Sequence, residues 1–139
     1  MEVPVNYWAV LACGIASMVL GFLWYGVLFG KTWMRLMGYS ENHQPDSAAA
    51  NRGYALAFIG SLIMAYVFSH TLVFASEYMN TQGIMAGLSN GFWMWLGFIA
   101  PVTLGSVLWE GKSWKLWCFN NTYNLVQLLM FGIILSLWK

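Results

Sequence analysis

Residues 7–29 read YWAVLACGIASMVLGFLWYGVLF, an apolar run with no charged side chain that ends just before Lys31. At ~1.5 Å per residue, a helix over such a run crosses the ~30 Å hydrocarbon core of a bilayer. Three more runs of the same kind follow, over about 54–75, 83–109 and 116–138, and none has a charge well inside it. The expected fold is therefore all-α. It is a four-transmembrane-helix bundle, up-down-up-down, forming a single domain over residues 1–139.

The connections between the runs orient the bundle. Lys31, Arg35 and Arg52 lie between the first and second runs, and Lys112 and Lys115 between the third and fourth. The remaining connection, residues 76–82, carries Glu77 and no basic residue. Cations are retained on the cytoplasmic side, so loops 1 and 3 are expected there and both termini outside. Thr32 to Met37 mixes cations with apolar side chains, as expected of a short interfacial helix after helix 1. Asp46 or Ser47 then offers an N-cap, so helix 2 is expected to begin before its apolar run. The first run has no basic leader and ends in Trp24-Tyr25-Gly26, so it reads as a retained helix rather than a signal peptide.

Composition agrees with a membrane protein. Hydrophobic residues make up 60% of the chain and charged residues 8%, against ~25% charged in soluble domains. A net charge of +1 supplies no basic stripe for phosphates, so a nucleic-acid partner is not expected. Cys13 and Cys118 fall at different depths, which makes a disulfide between them unfavourable, and both read as structural thiols.

Packing in lipid depends on close backbone approach and on buried hydrogen bonds. Ala9, Cys13, Ser17 and Gly21 form a small-residue stripe on helix 1; Gly53, Ala57, Ser61, Ala65 and Ser69 form another on helix 2. Either helices 1 and 2 meet through these faces, or one of them serves a second protomer. Helix 3 adds Gly83, Gly87 and Gly91, then Gly97, Pro101 and Gly105, and Pro101 is expected to kink it. A faint parallel repeat relates Gly30-Lys31-Thr32-Trp33 to Gly111-Lys112-Ser113-Trp114, and Leu20-Gly21-Phe22 to Leu96-Gly97-Phe98.

The leading candidate site is a polar seam between helices 3 and 4. Asn120, Asn124 and Gln127 make a stripe on helix 4, with Asn121 and Tyr123 beside it; Thr103, Ser106 and Glu110 make one on helix 3. Facing lipid, those groups would be costly, so the stripes are expected to meet inside the bundle near the cytoplasmic side. The seam reads either as a small hydrophilic cavity or as interhelical hydrogen bonding. The second reading is preferred because only Glu110 ionises, and an ion pair with Lys112 accounts for it. His70 is the one ionisable candidate within a span, and a hydrogen-bonded packing role is preferred for it. Glu41, His43 and Asp46 have no diagnostic metal spacing. Trp93 and Trp95 lie deeper in the span and would need indole partners if buried. No nucleophile–base pair, phosphate loop or cofactor-ligand pair is legible, so no catalytic residue, cofactor or metal is expected and the chain does not read as an enzyme.

Residues 6–10 (Asn6-Tyr7-Trp8-Ala9-Val10), Leu20 to Gly26 with Phe29-Gly30-Lys31, and Leu108-Trp109-Glu110-Gly111-Lys112-Ser113-Trp114 carry a family resemblance. Trp95-Leu96-Gly97-Phe98 with Pro101, and Tyr123 with Leu125-Val126, extend it. On these residues the chain resembles the bacterial family catalogued as domain of unknown function 1761. The resemblance implies a small four-helix protein of the bacterial cytoplasmic membrane and supplies no activity or site residues. The expected role is a self-associating membrane module with a small-solute transport or ligand-binding role. The alternative is an accessory or structural subunit of a larger membrane complex. The expected partners are the lipid bilayer and either further copies of the chain or another membrane protein.

Overall fold

A computed structural model describes residues 2–40, 42 and 46–139, and among them every regular element is helical. The helices are α1 (Tyr7–Leu28), α2 (Gly30–Met37), α3 (Ser47–Met79), α4 (Gly83–Leu108) and α5 (Trp114–Leu137). All except α2 are long and apolar enough to cross a membrane. Glu41 and His43 lie outside the described residues.

Local chemistry sets the helix starts. Asn6 Oδ1 accepts the Trp8 and Ala9 N–H groups at 3.1 and 3.2 Å, fixing the first turn of α1. Asp46 accepts from the Ala48 N–H at 3.2 Å, so α3 begins well ahead of its apolar run, its exposed first turns carrying Asn51 and Arg52. Ser113 Oγ caps α5 at the Leu116 N–H, 3.1 Å away. Each cap satisfies a donor that the helix itself leaves unpaired. Gly38 ends α2 and Gly111 follows α4, both in the left-handed region (φ 78° and 74°) where a side chain would be strained.

Two of the long helices widen. In α4 the Ala100 N–H reaches back to the Trp95 carbonyl, making a π-helical segment over Trp95–Ile99. Pro101 explains it: with no N–H of its own it leaves a carbonyl of the preceding turn unpaired, and the wider turn absorbs the mismatch. The expected kink is thus a widened turn ahead of the proline, followed by short helical pieces over Ala100–Thr103 and Gly105–Leu108. In α1 the Phe29 N–H bonds to the Trp24 carbonyl at 3.2 Å, closing a second π segment over Leu23–Leu28. Both segments contain a Trp-x-Gly triplet, Trp24-Tyr25-Gly26 and Trp95-Leu96-Gly97.

α1 and α3 run antiparallel. Along α1 and α3 the rings of Tyr7 and Tyr66 stack at 6.4 Å, and further down Ser17 meets Ser61 at 2.9 Å. The small-residue stripes lie at this contact: Ala9, Cys13 and Ser17 are buried, as are Ser61, Ala65 and Ser69. Gly53 and Ala57 remain exposed.

The closest backbone approach lies elsewhere, between α4 and α5. A Cβ on Gly132 would be driven into the Gly87 carbonyl, and one on Gly91 would lie 2.7 Å from the Leu128 carbonyl oxygen. Beside this contact Phe68 and Phe131 meet edge to face at 6.4 Å, within an apolar core completed by Leu72, Leu128 and Leu135.

Gly132→Ala is expected to destabilise the fold by about 1–3 kcal/mol through overpacking. Gly60→Ala, where a new methyl meets nothing within 4 Å, should be neutral or slightly stabilising. Unfolding by titration of dodecyl sulfate into mild-detergent micelles measures both.

Candidate functional site

The polar residues of α4 and α5 separate into two networks and a cleft. The hub of the first network is Asn121, 2% exposed. The Thr103 hydroxyl donates toward Asn121 Oδ1 at 3.1 Å, sharing its single proton with the Ile99 and Ala100 carbonyls of its own helix. Asn121 Nδ2 donates to the Trp117 carbonyl at 3.0 Å, and its own carbonyl accepts the Trp95 indole N–H at 3.0 Å. The Trp117 indole in turn donates to Thr103 Oγ1 at 3.1 Å. Trp95 thus has the partner its depth requires, whereas Trp93 is 63% exposed on the outside of the bundle.

The second network contains Gln127, which turns away from α4. Its Nε2 donates to Ser17 Oγ, and Ser17 Oγ lies 2.9 Å from Ser61 Oγ. Ser61 gives its proton to the Ala57 carbonyl at 2.8 Å. The direction of the chain follows: Gln127 to Ser17 to Ser61 to backbone, each hydroxyl accepting one bond and donating the next. This chain ties α5 to both α1 and α3 through buried side chains.

Five of the six seam residues line one open cleft of about 660 Å³: Thr103, Ser106, Glu110, Asn120 and Asn124. Gln127 does not. Tyr25, Trp33, Trp117 and Tyr123 supply aromatic walls. The Tyr25 hydroxyl donates to Asn120 Oδ1 at 2.8 Å, and the Tyr25 and Tyr123 rings meet at 5.0 Å. Ser106 returns its proton to the Thr103 carbonyl at 2.9 Å. The Asn124 amide and the Glu110 carboxylate have no hydrogen bond or ion pair among the described residues. The expected Glu110–Lys112 ion pair is therefore corrected: Gly111 turns the chain, and Lys112 is held through its backbone N–H on the Ser106 carbonyl at 3.0 Å. No Lys or Arg lines the cleft.

His70 is elsewhere, half-buried on α3. Its Nδ1 lies 2.9 Å from the Tyr66 carbonyl oxygen, and its ring sits between those of Tyr66 (4.6 Å) and Phe74 (6.5 Å). The neighbouring Thr71 hydroxyl accepts the Asn90 amide at 3.0 Å, joining α3 to α4. Cys13 is buried and Cys118 exposed, both free. Among the described residues no group of three His, Cys, Asp or Glu side chains could hold a metal ion.

Helix length, apolarity and a polar interior at one end define a multi-pass, all-helical membrane protein. The chain belongs to the family described as Protein of unknown function (DUF1761), whose model matches residues 8–136. No curated protein and no solved structure matches it.

Asn121→Leu removes the hub while Thr103 and the two indoles stay in place. It removes one interhelical bond, from Thr103 to Asn121 Oδ1, and leaves the Trp95 indole on the backbone carbonyl, so it should lower stability by about 0.5–1 kcal/mol at ~0.6 kcal/mol per such bond in a membrane. Asn124→Leu breaks no bond and should leave the melting temperature in detergent nearly unchanged.

Proposed function

We propose that this chain is a non-enzymatic, self-associating module of the bacterial cytoplasmic membrane that binds a small polar solute in the cleft between α1, α4 and α5. The observation that carries the reading is the Asn124 amide, half-buried at the level of a membrane span yet uncommitted to any protein partner. A bare amide facing hydrocarbon is costly, so water or a solute has to satisfy it. In the orientation implied by the basic loops, the cleft opens to the cytoplasm.

The lining favours a cation over an anion. One carboxylate, amide oxygens and four aromatic side chains face the space, with no basic group among them. Deeper in, the bundle is closed by the Gln127–Ser17–Ser61 chain and by the apolar core around Phe68 and Phe131. A single copy thus has the form of a one-sided binding site; transport would require a second arrangement of the same helices. Self-association is supported by Gly53 and Ala57, small residues of α3 left exposed on the outside. The same face would serve docking to a larger complex.

Asn124→Cys, in a chain whose Cys13 and Cys118 are replaced by Ala, is expected to react readily with a membrane-impermeant maleimide. Leu128→Cys, a buried position, should not. Choline should protect Asn124→Cys at about tenfold lower concentration than its uncharged carbon isostere 3,3-dimethylbutan-1-ol. Equal and negligible labelling at both positions would mean a dry interior and the loss of the binding reading. Equal protection by the two probes would remove only the cation preference. For self-association, Ala57→Cys in the same background should form a disulfide-linked pair in membranes under oxidation, and Ala65→Cys, buried within the bundle, should not.

A further inference from the structure

A second concave surface lies on the other side of α5 from the cleft, between α5 and the amphipathic α2. It is a groove of about 540 Å³ whose apolar walls are Trp24, Phe29, Leu36 and Phe119, with Thr32 and Lys115 near one end and Thr122, its hydroxyl spent on the Cys118 carbonyl, further along. Lys115, Cys118, Phe119 and Thr122 recur at helical spacing, so one face of α5 forms the whole of that wall. On α2 the side chains of Trp33, Met34, Leu36 and Met37 are half-buried, while Lys31, Thr32 and Arg35 are exposed. We infer that this groove seats one anionic phospholipid, an acyl chain lying along the aromatic and leucine wall and the phosphate held by Lys115.

Charge and shape both point to that occupant. No carboxylate lines the groove, and Lys31, Arg35, Lys112 and Lys115 all belong to the same end of the bundle. The available polar groups are donors. Lys115 is an exposed ammonium, and the Thr32 hydroxyl is exposed and has no partner among the described residues. Lys115 also stands in the first turn of α5, where the helix dipole adds to the attraction for an anion. A free phosphate would use Lys115 and leave the apolar wall uncovered. A zwitterionic lipid would cover the wall but bring a quaternary ammonium to a basic rim. An anionic lipid satisfies both halves, and the groove opens at exposed Cys118 and Thr122 on the outer surface of the bundle.

The test uses the full chain in mild detergent, titrated with phosphatidylglycerol or with phosphatidylcholine of the same acyl chains and read by native mass spectrometry. One retained phosphatidylglycerol per chain is expected, with about fivefold preference over phosphatidylcholine. Lys115→Gln should abolish the preference, Lys115→Arg should keep it, and Lys139→Gln, at the chain's other end, should leave it unchanged. Circular dichroism checks that each variant is helical. In nanodiscs, maleimide labelling of Cys118 should be several-fold slower in phosphatidylglycerol than in phosphatidylcholine. Equal binding of the two lipids, a preference that survives Lys115→Gln, or full displacement of the lipid by inorganic phosphate would each overturn the assignment.

Discussion

The backbone contact between Gly87 and Gly132 sets the shape of the molecule. In lipid no hydrophobic force drives helices together, so close approach of bare backbone has to supply van der Waals contact instead. Glycine at both positions lets α4 and α5 touch at one end, where even a methyl group would collide with a carbonyl. Toward the basic end the same two helices present Trp95, Thr103, Trp117 and Asn121, and large side chains take the place of the contact. A pair of helices with small residues at one end and indoles at the other leaves room at the second end. The cleft occupies that room.

Polar groups follow the same geometry. Where α4 and α5 are close, no side-chain hydrogen bond crosses between them among the described residues; Asn90 bonds Thr71 of α3 instead, and the core is Phe68, Leu72, Phe131 and Leu135. Where they are further apart, hydrogen bonds bridge the gap through Asn121, and through the Gln127–Ser17–Ser61 chain to the other helix pair. Interhelical bonds of this kind contribute less than ~2 kcal/mol each, so they are poor candidates for the main source of stability. They do fix rotation. Turning α5 about its axis would leave Asn121 or Gln127 in hydrocarbon without a partner, which costs more than either bond contributes.

Rotation is also where the sequence is hardest to read. The spans are legible because hydropathy sums over about twenty residues, and Asp46 is legible as a cap because it stands directly before a run of alanines. Asn120, Asn124 and Gln127 share a face by spacing alone, yet Asn120 and Gln127 bond α1, at Tyr25 and Ser17, and Asn124 bonds nothing among the described residues. That spacing does not reveal which neighbour each will meet. A usable signal was present in Gly132, the single glycine of the fourth run. The small-residue argument applied to the first three helices also applies to it. Stepping back from Gly132 at helical intervals gives Leu128, Asn121 and Trp117, the residues that face α4. The π segments were less accessible. The one in α4 depends on how Pro101 is accommodated, and the one in α1 has no proline to announce it.

The basic end sorts its charges by surface. Lysines and arginines that orient the chain lie outside the bundle or on α2, and the one carboxylate at that end among the cleft residues faces inward with amides and tyrosines. α5 is the partition: Asn120 and Asn124 look into the cleft, while Lys115, Cys118 and Thr122 look toward the groove against α2. Tyr25 and Phe119 join the two sides, Tyr25 bonding Asn120 in the cleft while its ring meets Phe119 of the groove at 5.6 Å. An anion outside and a cation inside would attract each other across one helix thickness of low dielectric, where screening by salt is weak. The π segment of α1 carries Trp24 and Tyr25 to these two surfaces, Trp24 to the groove and Tyr25 to the cleft.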